Sequence, residues 1–207
     1  MKKQGMLIVV SGFSGVGKGT AVKELIKKPG YKLSISATTR QPRAGEEHGR
    51  EYFFKTVEEF ESLIAENGFI EHARYVNNYY GTPRAFVEEQ LAEGNNVILE
   101  IEVKGALQIK AQYPNAILIF ISAASAEELK LRLTGRGTET EDVIEQRMKR
   151  AAEEASSIKD YDYFVINRDG QLEQCVEEIH NIVTANKLVR TLWDEEINSI
   201  QKELIEL

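Results

Sequence analysis

Apolar and polar positions change their period several times along this chain. Continuous apolar runs at 6–11, 33–36, 96–101, 116–122 and 162–167 read as strands buried on both faces. Between them, apolar residues recur at helical spacing over 17–28, 82–93, 103–112, 125–134, 141–158 and 170–187. Strands alternating with helices predict an α/β fold, a parallel sheet covered on both faces. Two stretches break this rhythm. From Thr38 to about Ala92 the pattern turns strand-rich and polar, with short strand candidates at Tyr52-Phe53-Phe54 and from Phe69 to Val76. Between those two lies Thr56-Val57-Glu58-Glu59, a capping box that opens a helix from Phe60 to Glu66. This stretch predicts a small, mostly-β subdomain inserted into the main sheet. The second break, 134–140, is glycine-flexed and flanked by helices, as a mobile lid would be. At the C-terminus, Trp193, Ile197, Ile200, Leu204 and Leu207 share one helical face. They predict an acidic amphipathic helix packed on the core or on a partner.

The first strand runs into Gly12-Phe13-Ser14-Gly15-Val16-Gly17-Lys18-Gly19-Thr20, and a helix follows that Pro29-Gly30 closes. Strand, glycine-rich turn, lysine and helix make a phosphate cradle, or P-loop. Glycines let the backbone wrap an oligophosphate with its N–H groups inward, and the helix N-terminus adds partial positive charge. Ser14, Gly15, Val16, Gly17, Lys18, Gly19 and Thr20 are therefore the residues expected to hold the phosphates of ATP or GTP. Lys18 would reach the β- and γ-phosphates, and a hydroxyl would help to hold Mg²⁺. Gly19 stands where a Ser or Thr is usual, which moves that hydroxyl to Thr20. A glycine turn with a purely structural purpose is the plainer alternative.

Composition narrows the partners. The 207 residues suffice for one α/β domain with insertions, and 42% hydrophobic with 29% charged residues suit a globular protein. The formal net charge of −7 argues against a nucleic-acid surface, which needs a basic stripe, but not against a nucleotide in a locally cationic pocket. No run is long enough for a membrane span, and the N-terminal strand is too short for a signal peptide. Cys175 is the only cysteine and shares an apolar helix face with Leu172, Val176 and Ile179. It reads as a buried small hydrophobe in a reducing cytoplasm. His48, His72 and His180 have no metal-ligand spacing. Monomer and homo-oligomer are both compatible with the pattern.

A second anion site suggests itself after the strand at 33–36. Arg40 and Arg43 lie three apart with Pro42 between them, and a guanidinium can grip a phosphate bidentately. With the phenol of Tyr52 or Tyr80 they would hold a dianionic phosphate. Solvated surface arginines are the alternative. The segment Glu71 to Thr82 favours the site: its paired tyrosines, Tyr79 and Tyr80, read as exposed residues in a turn, suited to a base or a phosphate. Guanine offers donors at N1 and N2, which Glu71 can accept, and an acceptor at O6 for the hydroxyls of Ser36 and Thr82. Adenine presents an acceptor at N1, which a carboxylate repels. A buried site of this kind discriminates on the order of 10⁴-fold.

The P-loop, the run Ser36-Ala37-Thr38-Thr39-Arg40-Gln41-Pro42-Arg43-Ala44-Gly45-Glu46, the turn Asn78-Tyr79-Tyr80-Gly81-Thr82 and Gly135-Arg136-Gly137-Thr138-Glu139-Thr140 together resemble guanylate kinases. The resemblance covers about 6–187. It implies a three-layer P-loop core (1–36, 91–125 and 158–207), a GMP-binding subdomain at 37–90 and a helical lid at 126–157. It also implies Mg²⁺-dependent transfer of the ATP γ-phosphoryl to GMP, giving GDP and ADP, within purine nucleotide metabolism. Carried over residue by residue, Arg40, Arg43, Tyr52 and Tyr80 hold the GMP phosphate, and Ser36, Glu71, Thr82 and Glu102 read guanine. Arg132, Arg136 and Arg147 close over the transferring phosphoryl, and with Lys18 and Arg40 they form the catalytic set. Asn167 falls where the adenine passes, and Glu100 lies near Mg²⁺ with Thr20. The chain departs from the family at Glu100-Ile101-Glu102, where Asp-x-Asp is common, at Lys104 for Gln, and at Phe13 for Pro. The two glutamates keep the charge and reach one methylene farther; Phe13 is expected to alter only loop stiffness.

The acceptor in such a reaction is a phosphate oxygen already ionised at neutral pH, so no general base is needed. Catalysis reduces to alignment and charge neutralisation. Without the P-loop, Arg132, Arg136, Arg147 and Arg150 would read as a solvated helix face paired with Glu139, Glu141, Glu145 and Glu153; Arg150 keeps that reading even with it. Two other functions stay open at this stage. One is a different small-molecule kinase on the same scaffold, acting on adenylate or a ribose phosphate. The other is a non-catalytic guanylate-kinase-like module that binds phosphopeptides, against which the intact Gly12, Gly17, Lys18 and Thr20 weigh.

Overall fold

A computed structural model of the chain describes residues 5–75, 77–135 and 140–206. The first strand, β1 (Leu7–Gly12), is buried along its whole length and leads through the glycine loop into α1 (Lys18–Leu25). Then come β2 (Tyr31–Leu33), β3 (Ala37–Thr38), β4 (Phe53–Phe54), α2 (Val57–Ala65), β5 (Phe69–Tyr75), β6 (Asn78–Pro83) and α3 (Arg84–Ala92). The chain continues through β7 (Asn96–Glu100), α4 (Val103–Gln112), β8 (Ile117–Ser122), α5 (Ala126–Thr134) and α6 (Glu141–Ala155). It ends with β9 (Tyr163–Ile166), α7 (Leu172–Asn186) and α8 (Asp194–Ile205).

Five of the strands form one parallel sheet in the order β2-β7-β1-β8-β9. Alternate side chains of a strand face opposite ways, so the continuous apolar runs supply two cores. Ile8 and Val10 of β1 face one way with Leu25 of α1 and Ile179 of α7. Leu7 and Val9 face the other way with Val87 and Leu91 of α3 and Ile109 of α4. From β1 the chain winds first toward β2 and later, from β7, crosses to β8 on the opposite side. That reversal opens a crevice beyond the carboxyl end of β1, the usual ligand site in such sheets. The P-loop sits there.

The other four strands form a second sheet in the order β4-β3-β6-β5. β5 and β6 pair antiparallel, as do β3 and β6. A small core of Ala37, Phe60 and Phe69 holds α2 against this sheet. Phe60 stacks on Phe69 at 4.4 Å and on Tyr79 at 5.3 Å between ring centroids. The capping box at Thr56 is present with both hydrogen bonds; because Thr56 is the cap, α2 starts at Val57, earlier than the apolar pattern predicts.

Three boundaries differ from the sequence reading in ways that shape the site. The strand expected at 33–36 lies at Tyr31–Leu33, because only Tyr31 to Leu33 pair with Asn96 to Ile98. From Ser34 the chain leaves this edge and carries Ser36 toward the second sheet. The segment 78–82, expected to turn, is part of β6. Successive residues of a strand face opposite sides, so Tyr79 is spent on the Phe60 core and Tyr80 is left toward the anion site. The helix expected from 82 starts at Arg84, because Thr82 stays in β6 opposite Glu71.

Cys175 is buried, and burial pushes its thiol up to about 11, so it packs as a hydrophobe. Phe60→Ala is expected to cost about 3–5 kcal/mol, the range for removing a buried aromatic. Hydrogen exchange should show amides of β6 losing protection before those of β1; equal loss in both sheets would mean that Phe60 does not hold the small sheet separately.

Candidate functional site

The P-loop is pinned from behind. Val16 is fully buried, and its carbonyl accepts from Asn167 Nδ2 at 2.7 Å and from an Arg132 guanidinium nitrogen at 3.2 Å. Arg132 also donates to the Asn167 carbonyl at 2.7 Å and pairs with Glu128 one turn back on α5. These contacts tie α5 and the end of β9 to the loop. Gly17 follows in left-handed backbone at φ 88°, where a Cβ would lie 2.8 Å from Asn167 Nδ2, so the brace and the turn both require glycine. Phe13 has a larger role than loop stiffness, since its ring meets Phe120 edge-on at 4.9 Å.

The loop and the first turn of α1 enclose a pocket of about 270 Å³ lined by Ser14, Gly15, Gly17, Lys18, Gly19, Thr20, Lys23 and Glu100. Lys18 Nζ donates to the carbonyls of Gly12 and Phe13 at 2.6 and 3.1 Å, folded across the loop mouth. Arg147 of α6 donates to Ser14 Oγ at 2.9 Å. A Cβ at Gly19 would sit at an ordinary 3.5 Å from the Glu100 carboxylate oxygens, so space does not require glycine there. Although Glu100 is open to solvent at the strand end, its carboxyl is held above the ordinary range. Partial desolvation by the surrounding loops outweighs the pull of Lys18 and Lys23, and Glu102 pushes the same way.

The second anion site lies within electrostatic reach of Glu100. Burial raises the Tyr52 phenol, and the Glu100 charge adds to that rise. Tyr52 and Tyr80 meet edge-on at 6.1 Å. The Arg40 guanidinium lies 5.4 Å from the Tyr52 ring centre and grips Glu46 with one nitrogen, 2.9 and 3.0 Å from the two carboxylate oxygens. Glu46 also accepts from the Arg43 backbone N–H at 2.8 Å. That bond comes first in holding its carboxyl below the ordinary range, and the Arg40 and Arg43 charges add to it. Partial burial alone would lower Arg40, but Glu46 and Tyr80 more than offset it. The Arg40 guanidinium, with Tyr52 and Tyr80 beside it, thus holds an anion, here a carboxylate of the chain itself.

Deeper in, Glu71 is 5% exposed and Thr82 fully buried, side by side across β5 and β6. Thr82 Oγ1 donates to Glu71 Oε1 at 2.6 Å. The other carboxylate oxygen lies 2.5 Å from where a Cβ on Gly105 would be, so glycine alone lets α4 come this close. Burial pushes the Glu71 carboxyl up to about 7, against the hydrogen bonds from Thr82. No cation pairs with it among the described residues. Its donors come from Thr82, the hydroxyl and the backbone N–H. Ser36 lies in the connection between the sheets and accepts from the Phe53 backbone N–H at 2.9 Å. Glu102 stands at the head of α4.

The family model described as guanylate kinase matches residues 4–186. The chain belongs to the guanylate kinase family. A curated guanylate kinase of Caldanaerobacter subterraneus subsp. tengcongensis is 52% identical over 188 residues, covering 90% of each chain. One of Clostridium acetobutylicum is 49% identical over 187 residues, covering 90% of this chain and 88% of its own. The crystal structure of guanylate kinase from Anaplasma phagocytophilum superposes with a TM-score of 0.74 at 30% identity, over 93% of this chain and 95% of that one.

Several residues escaped the sequence reading. Lys23 lines the pocket from α1, one turn beyond Lys18. Glu46 fills the arginine site; its signal was its place six residues after Arg40 in the family-like run. Arg150, expected on a solvated face, donates to Glu154 on its own helix and to Glu102 at the head of α4. Arg136, expected in the catalytic and ATP-binding sets, lies outside the described residues.

Two outcomes test this geometry. Asn167→Ala removes one of the two donors to the Val16 carbonyl and should cost about 1–2 kcal/mol in chemical denaturation; no loss would remove the brace. Glu71 binds its proton more tightly in the fold than in the unfolded chain, where the value is near 4.5. Its stabilisation is therefore complete below about pH 4.5 and lost as pH rises through about 7. Denaturation of the nucleotide-free protein should show that loss, at most about 3 kcal/mol, and Glu71→Gln should abolish it.

Proposed function

We propose that this chain transfers the γ-phosphoryl group of ATP to GMP, giving ADP and GDP, the reaction of the family to which it belongs. The observation that carries the substrate choice is Glu71. A buried carboxylate that meets no cation among the described residues, and only the neutral donors of Thr82, can take further N–H donors. Guanine brings two adjacent ones at N1 and N2, and adenine brings an acceptor at N1. In this reading Ser36, Thr82 and Glu102 read the rest of the base, and Arg40, Arg43, Tyr52 and Tyr80 hold the GMP phosphate. That phosphate displaces Glu46 from Arg40, one anion for another.

The triphosphate of ATP takes the P-loop from Ser14 to Thr20, with Lys18 swinging from the loop carbonyls to the phosphates. Arg132 and Asn167 hold the loop in shape, and Asn167 closes the adenine side. Arg147, already on Ser14, and Arg136 supply charge from the lid. Thr20 and Glu100 face the same pocket as Lys18. A hydroxyl and a carboxylate with room for water and phosphate oxygens fit Mg²⁺. Bound there, the ion would neutralise phosphate charge beside Lys18.

The acceptor oxygen of GMP is ionised near neutral pH, since its second pKa is about 6. The chain's residues therefore align two anions and cancel their repulsion, and none has to remove a proton. We assign 37–90 as the GMP-binding subdomain, 126–157 as the lid, and 1–36, 91–125 and 158–207 as the core. The second sheet falls within the first of these, and the arginine-bearing α5 and α6 within the second. No described helix is long and apolar enough to cross a membrane. With the lone buried Cys175, this supports a cytoplasmic enzyme acting on small nucleotides.

ADP release coupled to a readout, with GMP, AMP, CMP and UMP in turn, tests the reading. GMP alone is expected to turn over well, and ATP hydrolysis without it should be slow. Turnover of AMP equal to that of GMP would overturn the base assignment. Lys18→Ala should lower kcat by about 10²–10³-fold with the fold intact. GMP donors need the charged form of Glu71, so KM for GMP should rise as pH falls below about 7, a dependence that Glu71→Gln should lose along with most GMP turnover.

A further inference from the structure

The helix α6 is held at both substrate sites by arginines three residues apart. Arg147 donates to Ser14 Oγ in the P-loop at 2.9 Å. Arg150 donates to Glu102 Oε2 at 3.2 Å, while its Nε donates to Glu154 on its own helix at 2.7 Å. Residues three apart share a helix face, so a single face of α6 spans the phosphate loop and the base end of the acceptor site.

Glu102 needs such a partner. It stands at the N-cap of α4 yet makes no side-chain capping bond, and its side chain is 56% exposed. It also has one torsion more than the aspartate that the family resemblance leads one to expect. A loose glutamate must be ordered before it can accept from a base, at a cost in affinity. Arg150 engages Oε2, and a carboxylate offers a second oxygen with its own lone pairs. The arginine is itself steadied by Glu154, whose side chain is 14% exposed.

We propose that Arg150 is a positioning residue for guanine recognition. It fixes Glu102 so that the free oxygen faces the base, and it links base occupancy to the placement of α6 and hence of Arg147. This rests on the GMP reading above. The pair is partly exposed, at 35% and 56%, so its effect is modest and salt-sensitive.

The test is a double-mutant cycle on GMP binding by calorimetry, with steady-state kinetics for GMP and AMP. The variants are Arg150→Met, Arg150→Lys, Glu102→Gln and the Arg150→Met/Glu102→Gln double. Arg150→Met is expected to weaken GMP about three- to fivefold, with AMP kinetics unchanged. Arg150→Lys should recover to within about twofold, and the double variant should bind GMP no more weakly than Glu102→Gln alone. Effects that multiply in the double variant, an equal loss for GMP and AMP, or no loss in Arg150→Met would each overturn the proposal. Should Arg150→Met fail to fold, the Lys variant and the salt dependence of wild-type GMP binding decide: a Lys variant equal to Glu102→Gln, or binding indifferent to salt, overturns it. Wild-type protein that does not bind GMP at all overturns the substrate reading and this inference with it. Binding by wild type with a multiplicative cycle overturns this inference alone.

Discussion

The carbonyl of Val16 anchors everything else at the site. A P-loop works only if its amides stay aimed inward, and a glycine-rich loop has little of its own to keep them there. Here two side chains from distant parts of the chain converge on one buried oxygen. Asn167 follows β9, and Arg132 lies on α5, so the loop is fixed to two elements that the chain reaches more than a hundred residues later. The same contacts set where α5 stands and tie the phosphate end to the helix pair that carries the other arginines. A residue expected to meet adenine is thus first a structural clamp on the loop that holds the phosphates.

Charge balance follows from this arrangement. An acidic chain has to keep cations at a site for two polyanions without scattering them. Four of the arginines are lodged against oxygen: Arg40 on Glu46, Arg132 on Glu128 and Val16, Arg147 on Ser14, Arg150 on Glu102 and Glu154. Such pairing shapes the side chains before a ligand arrives and lowers the entropy lost when it does. In the proposed reading, phosphate has to displace a carboxylate from Arg40, which a dianion with three oxygens is suited to do.

The main sheet was legible from the sequence because its strands are short apolar runs separated by helical periods, and burial on both faces leaves few other readings. The P-loop was legible because its glycines, lysine and flanking elements are local. The second sheet was only partly legible, for a physical reason: its pairing is non-local. Nothing near Tyr79 and Tyr80 reveals that β6 runs between β3 and β5, and so nothing separates the core tyrosine from the site tyrosine. The place of β2 was likewise decided by its partner, β7. Glu71 and Thr82 could be named from base chemistry, but their contact follows from strand register. Arg150 was invisible, because its partner Glu102 lies 48 positions away and a helix rich in glutamate offers many nearer ones.

Glu71 shows what recognition costs a fold. A carboxyl buried beside a hydroxyl, without a cation, is a poor element of stability, and its raised affinity for a proton is the measure of that. An arginine placed beside it would relieve the strain and would also fill the acceptor sites that a base must use. The fold instead leaves the carboxylate with Thr82 as its partner and lets α4 approach through the gap at Gly105. In the proposed reading, specificity arises because a ligand with two adjacent donors supplies what no described cation does. At Arg40, by contrast, the chain supplies its own anion. On that reading the phosphate end needs strength more than discrimination, and the base end keeps a carboxylate without a cation because it has to tell one purine from another.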